Sequence, residues 1–258
     1  MLQLNHVWRQ YGVGDAKVIA LQDVSLSVEA GEYLAIMGPS GSGKSTLLNV
    51  MGGVDRVTGG EIFFDGKRFD SLDEEQLTKF RRGRLSYVLQ QYHLIPSLTV
   101  TENVMLPLVF SGRGDDTASA FAVLDRVGLS HRMRHRPAQL SGGEQQRAAI
   151  ARALISNPEL ILADEPTGNL DQASGRQVLS LFEELSREGR AIVVVTHSLE
   201  VARCAAEIVT VVDGGIVARE KVSGRRTFDG GADASEKELP VLAEAALAYE
   251  FGADGPNR

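Results

Sequence analysis

The periodicity of hydrophobic positions changes several times along the chain, and each change marks an element. Residues 2–8 and 21–28 alternate, with Leu2, Leu4 and Val7, then Leu21, Val24, Leu26 and Val28 as the apolar positions. A period near two predicts half-buried strands, here an antiparallel pair. Tyr33–Met37, Leu85–Leu89, Leu160–Ala163 and Arg190–Thr196 are short, mostly apolar runs, which predict buried strands. Glu61–Lys67 predicts a strand closing in a turn. Ile208–Val212 and Gly215–Arg219 predict a hairpin around Asp213-Gly214.

Helical spacing predicts the intervening elements. Thr46–Met51 is a short helix stopped by Gly52-Gly53. Ser71 and Glu74 form an S-x-x-E capping box that opens another helix. From about Val100 to Ser156 the pattern is helical. One helix starts at Thr101-Glu102. A second, Ala118–Val127, carries Phe121, Leu124 and Val127 on one face, with Gly128 as its stop. Ala173–Glu188 turns Val178, Leu181, Phe182 and Leu185 inward, and Glu200–Ala206 reads as a last helix. The charged runs Arg81-Arg82-Gly83-Arg84 and His131–Pro137 read as solvated. After Val222 the composition shifts to glycine and acidic residues. That marks 223–258 as a linker, with Leu239–Phe251 a possible short helix.

The 258 residues include 43% hydrophobic side chains, enough for a sizeable core. A net charge of −7 argues against a general nucleic-acid footprint, which needs a basic face. The single cysteine, Cys204, excludes an internal disulfide and fits a reducing compartment. The start is polar and mixed, unlike a signal peptide, and no apolar run approaches the about 18 residues of a membrane span.

Chemistry concentrates at the ends of the predicted strands. Gly38 to Thr46 reads GPSGSGKST and matches G-x-x-x-x-G-K-[ST] at Gly38, Gly43, Lys44 and Ser45. It lies between a predicted strand and a predicted helix, the context the motif requires. The glycines let backbone N–H groups turn inward on phosphate oxygens, and the helix start adds partial positive charge. Lys44 can reach the β- and γ-phosphates, and the Ser45 hydroxyl can ligate Mg²⁺. Asp164 and Glu165 are adjacent carboxylates at a strand end, which suits a magnesium partner and a base for an attacking water. Ser141 and Glu144 form a second capping box around Gly142-Gly143. Glycines there cost helix stability, about 1 kcal/mol each if interior, so something must approach that backbone closely. A helix start with a hydroxyl is a second anion site. Three residues stay open on local grounds. Tyr11 reads as surface packing or as a ring that stacks on a purine. Gln90 reads as a loop residue unless its strand end faces the phosphate loop. His197 reads as a turn residue or a catalytic one.

Taken together, residues 1–222 resemble the ATP-binding subunit of ATP-binding cassette (ABC) transporters. Gly38 to Ser45 matches the Walker A loop, which brings Pro39, Ser40, Gly41, Ser42 and Thr46 into the nucleotide site. Gln90 matches the Q-loop, LSGGEQQR (Leu140–Arg147) the signature, and Leu160–Glu165 Walker B with the catalytic glutamate. Asn169-Leu170-Asp171 matches the D-loop, where many relatives have S-A-L-D. His197 matches the switch histidine and Tyr11 the adenine-stacking aromatic. The branch most similar is that of macrolide export, lipoprotein release and cell division.

The resemblance implies an α/β P-loop NTPase fold with a mixed central sheet, an N-terminal antiparallel β subdomain, and an α-helical subdomain inserted at about 92–156. It implies ATP hydrolysis with Mg²⁺ held by Ser45, Gln90 and, through water, Asp164. Glu165 would polarise the water, with His197, Lys44 and Gln90 completing the catalytic set. It also implies a head-to-tail homodimer in which Ser141, Gly142 and Gly143 of one chain face the γ-phosphate held by Lys44 of the other, with Asp171 coupling the sites. An integral membrane permease would dock near Gln91–Leu108, placing the chain in the cytoplasm on the inner face of the membrane. The alternative is a soluble ABC ATPase acting on nucleic acid or ribosomes.

Overall fold

The computed structural model describes residues 1–12 and 14–222, so the expected linker and short helix of 223–258 lie outside the described residues. The chain forms two sheets. An antiparallel sheet runs in the order β2-β1-β4-β5 and is built from β1 (Leu2–Tyr11), β2 (Val18–Val28), β4 (Gly59–Phe64) and β5 (Lys67–Arg68). The second sheet holds β3 (Tyr33–Met37), β6 (Leu85–Val88), β7 (Leu160–Asp164), β8 (Ala191–Val195), β9 (Glu207–Val212) and β10 (Gly215–Lys221). Its order is β10-β9-β3-β8-β7-β6. Strands β3 and β6 to β9 are mutually parallel and β10 is antiparallel, which makes the sheet mixed.

The parallel strands of the mixed sheet are largely buried on both faces, which is why they read as continuous apolar runs, whereas the edge strand β10 alternates with exposed positions. Each strand divides its side chains between two cores. Tyr33, Ala35, Met37, Ile161, Ala163, Ile192 and Val194 enter the core shared with the long helices. Leu34, Ile36, Leu160, Leu162, Val193 and Val195 enter the core shared with the antiparallel sheet and with α1 (Lys44–Met51). The other helices are α2 (Glu74–Arg84), α3 (Val100–Phe110), α4 (Thr117–Arg126), α5 (Gly142–Leu154), α6 (Gln172–Arg187) and α7 (Leu199–Ala202). No helix among the described residues is long and apolar enough to cross a membrane.

The predicted inward face of α6 is correct: Val178, Leu181, Phe182 and Leu185 are all buried. Four expectations need correction. The cap of α2 is Asp73, not Ser71, because the Leu72 N–H still bonds to the Phe69 carbonyl in a turn. Asp73 Oδ1 then accepts from Gln76 N at 2.8 Å, and Asp73 N donates to Gln76 Oε1 at 3.2 Å. On α4 the inward side chains are Ala120 and Leu124, continued by Val127, while Phe121 points outward and is exposed. The last helix is only Leu199–Ala202, shorter than the expected Glu200–Ala206, because the Ala206 N–H is taken by the Tyr33 carbonyl at 2.7 Å and the chain enters β9. Within the basic run, Arg84 is not simply solvated. It pairs with Asp65 and with Glu159 and lies 4.5 Å over the Phe64 ring.

Phe182 is fully buried and meets Tyr33 edge-on at 6.5 Å between centroids. We expect Phe182→Ala to cost about 3–5 kcal/mol and to lower the thermal midpoint by roughly 6–20 °C. A fall of under about 3 °C in a melting curve would show that this contact does not hold the helix on the sheet.

Candidate nucleotide site

Because β3, β8, β7 and β6 are parallel and in register, their C-terminal ends share one edge of the sheet. Those ends deliver the loop Gly38–Gly43 from β3, Thr196 and His197 from β8, Asp164 and Glu165 from β7, and Leu89 and Gln90 from β6. Four segments separated by up to about 150 residues thereby converge, as parallel sheets place ligands at strand ends.

The loop is shaped by three glycines in the left-handed region: Gly38 at φ 148, Gly41 at φ 76 and Gly43 at φ 102. A Cβ on Gly38 would lie 2.0 Å from the Val211 carbonyl oxygen, and one on Gly43 would lie 2.4 Å from that of Ala20. Gly41 faces open space. No side chain caps α1, so the helix start keeps donors for an anion. Lys44 Nζ donates to the carbonyls of Gly38 and Pro39 at 2.7 Å each, holding the ammonium inside the loop. Ser42 Oγ is buried with no hydrogen-bond partner. The Ser45 residue is exposed beside it.

Glu165 adopts φ 45, an uncommon conformation for a residue with a side chain. Its Oε1 accepts from His197 N at 2.9 Å and lies 2.7 Å from His197 Nδ1. Its Oε2 accepts from the Thr196 hydroxyl at 3.2 Å. The two expected catalytic residues are therefore one hydrogen-bonded unit. Thr196, which the sequence reading passed over, is the buried member of that unit. Gln90 lies against Gly168: a Cβ there would meet Gln90 Nε2 at 2.9 Å. The Gln90 carbonyl accepts from Asn169 Nδ2 at 3.2 Å, which ties the strand end to the Asn169–Asp171 loop.

Ser141, Gly142 and Gly143 stand apart from this edge, at the start of α5, which packs chiefly on α3, α4, α6 and β6. Ser141 is exposed and Gly142 half-buried. What approaches Gly143 closely is Ser174 of α6, whose Oγ would lie 2.4 Å from an added Cβ. Ser174 is itself held by Asp171, which accepts from its amide at 3.0 Å and from its hydroxyl at 2.7 Å. Those two bonds hold the Asp171 carboxyl below the usual carboxylate range. The glycine at 143 therefore has a packing reason within the chain, because any side chain there would collide with Ser174. At Gly142 the nearest atom to an added Cβ, the Tyr92 hydroxyl, is 3.1 Å away. Gln146, fully buried, donates from Nε2 to the Pro166 carbonyl at 2.8 Å and links α5 to the turn after Glu165.

Glu144 completes the capping box of α5. Its Oε2 accepts from Ser141 N at 2.8 Å, and Arg132 Nε donates to its Oε1 at 2.8 Å. The backbone bond from Ser141, reinforced by Arg132, draws the carboxyl down to about 2. Tyr11 is the last residue of β1, paired with Val18. Its hydroxyl bonds to Asp55. Among the described residues no group of three or more His, Cys, Asp or Glu is placed to hold a metal. The candidate magnesium donors, Ser45, Gln90 and Asp164, are instead a hydroxyl, an amide and one carboxylate. All offer oxygen, which suits a hard divalent cation.

A family model described as ABC transporter matches residues 21–168, more than half of the chain. The chain belongs to the ABC transporter family. Its relatives include the ABC transporter ATP-binding protein MJ1508 of Methanocaldococcus jannaschii, 47% identical over 84% of this chain and 98% of that one. The macrolide export ATP-binding/permease protein MacB of Burkholderia pseudomallei is 44% identical over 94% of this chain, which spans 38% of MacB. A solved structure of the cassette MJ0796, a dimer in a post-hydrolysis state bound to ADP and phosphate, superposes with a TM-score of 0.80 at 44% identity. It covers 87% of this chain and all of that one. This ABC protein is an ATP-binding subunit and an ATP hydrolase with the mixed α/β cassette fold.

Glu144 gives a pH prediction. A carboxyl depressed in the folded state stabilises the fold above its ordinary value of 4.5. It loses that contribution as pH falls towards about 2. Thermal midpoints recorded from about pH 5 down to about pH 2 should fall more steeply for wild type than for Glu144→Gln. Parallel curves would contradict the role of the Ser141 and Arg132 bonds.

Proposed function

We propose that this subunit hydrolyses ATP at composite sites formed by two copies and thereby drives an integral membrane permease. The observation that carries this reading is the separation of two helix starts within one chain: that of α1 with its phosphate loop, and that of α5 with an exposed Ser141. Each is suited to an anion. A γ-phosphate held by Lys44 of one copy and by Ser141 and Gly142 of the other would join the copies head to tail. The helix termini would contribute about 0.3–2 kcal/mol each. Hydrolysis removes that bridge.

In this mechanism the N–H groups of Gly38–Thr46 bind the phosphates, and Lys44 shifts from the Gly38 and Pro39 carbonyls to the β- and γ-oxygens. Ser45 and Gln90 would ligate Mg²⁺, with Asp164 acting through water. When bound, the ion shields the phosphate charge. Glu165 polarises the attacking water, while His197 and Thr196 hold its carboxylate in position. Asp171, through Ser174 and Gly143, couples the loop after β7 to the start of α5. The ATPase unit is residues 1–222, with the helical insertion at about 92–156.

The permease would dock near Gln91–Leu108, from the cytoplasmic side of the membrane. A groove of about 490 Å³ lies beside that segment, lined by Leu85, Tyr87, Leu106, Pro107, Phe110 and Arg152 among others. Phe110 is 67% exposed at its rim. The relatives that pair a cassette with a permease in one chain support the partner's class. Macrolide export is the kind of work they suggest. The reading of a nucleic-acid or ribosomal ATPase gains no support from the site or the relatives.

Glu165→Gln should retain ATP binding, lose roughly 10²–10⁴-fold in turnover, and accumulate as a dimer on a sizing column with MgATP. A variant that keeps full turnover, or stays monomeric with ATP bound, contradicts the roles assigned. Photocrosslinking from Ile95, exposed within the docking segment, should yield an adduct to an integral protein in native membranes. A clean absence of such an adduct, in membranes where the chain itself is recovered, would overturn the docking surface.

A further inference from the structure

Tyr11 carries more structure than a nucleobase platform needs if any exposed ring would serve. Its ring is 38% exposed, and two groups constrain it. The Arg9 guanidinium lies over one face, with Cζ 4.2 Å from the ring centroid. The phenol hydroxyl bonds to Asp55 Oδ2 at the ring's far end. Arg9 and Asp55 are also joined to each other, by Nε to Oδ2 at 3.0 Å and Nη2 to Oδ1 at 2.6 Å, with both side chains about four-fifths buried. The three side chains close a triangle: swinging the ring about χ1 would break the Asp55 bond, and turning its plane about its long axis would take its face off the Arg9 guanidinium.

The triangle has a definite mounting. Asp55 follows α1, the helix that begins at the phosphate loop, and its N–H donates to the Asn49 carbonyl of that helix at 3.2 Å. A few residues on, the Thr58 amide and hydroxyl both donate to the Trp8 carbonyl, at 2.8 and 3.1 Å, beside Arg9 in β1. The end of β1 is thus fastened to the far end of the helix that carries the phosphates. A platform for the base and a cradle for the phosphates are held at a fixed separation by Asp55.

We infer that Arg9 and Asp55 are positioning residues that lock Tyr11 with a single open face, towards which the purine of the bound nucleotide stacks. This rests on the reading of Tyr11 as the nucleobase platform. Arg9 occupies the opposite face, so the base has one approach. The ring's rotational freedom is lost on folding rather than on binding, which favours the bound state. The contribution depends on the base alone and is independent of the phosphates.

The test is isothermal titration of the full chain with ADP and, separately, with inorganic tripolyphosphate, which has the charge and no base. Arg9→Ala should weaken ADP about three- to ten-fold, as expected for freeing one ordered aromatic side chain, and leave tripolyphosphate within about two-fold. Asp55→Asn should shift ADP in the same direction and serves as the second variant should Arg9→Ala fold poorly. Tyr11→Ala should weaken ADP at least as much as either. ADP affinity unchanged in both Arg9→Ala and Asp55→Asn, while Tyr11→Ala loses it, overturns the positioning role alone. A parallel loss of tripolyphosphate also overturns it, by showing that the triangle serves the loop rather than the ring. If Tyr11→Ala itself leaves ADP unchanged, the platform reading fails, and the inference with it.

Discussion

A helix start attracts an anion only while its leading N–H groups lack partners within the chain. At α1 three left-handed glycines bend the entering chain so that no side chain caps the first turn, and Lys44 waits on two loop carbonyls. At α5 the Ser141 hydroxyl satisfies only the Glu144 N–H, while Glu144 turns back to Ser141 and is itself held by Arg132. The carboxylate that would repel an approaching phosphate is thereby occupied and offset by a cation. Under the proposed function both starts receive phosphate, and α1 and α5 pack in different cores.

The parallel register of β3, β8, β7 and β6 gathers the residues of the proposed reaction site on one edge. It aligns the glutamate, the histidine and the phosphate loop along one edge. Short hydrogen-bonded links run from that edge. Gln146 reaches the turn after Glu165, Asn169 reaches the Gln90 carbonyl, and Asp171 holds Ser174 against Gly143. The first and third links reach α5 in the helical part of the chain, and the second joins two strand-end loops; under the proposed function that helical part is the one from which a membrane partner would be driven.

The fold was legible in the sequence where periodicity is local. The strands buried on both faces betrayed themselves as unbroken apolar runs, and α6 by its stripe. Helix starts were harder, because competing capping signals such as Ser71 and Asp73 are settled by a turn bond from Leu72 to Phe69 that no local pattern reports. The phosphate loop was legible because its motif is contiguous. Thr196 was missed because a threonine ending a strand carries no mark of the carboxylate it will meet. Arg9 and Asp55 were missed because they lie 46 residues apart, and only the pairing of β1 with β4 brings them together. The packing reason for the glycine at 143 was missed likewise, since Ser174 reaches it from another helix.

The central claim is that one copy cannot complete a nucleotide pocket. It is tested most directly by ATP turnover per chain as a function of protein concentration, with sedimentation recorded in parallel. Turnover per chain should climb as copies associate and level off once association is complete. A rate per chain that stays flat down to concentrations where every molecule sediments as a monomer would contradict the account.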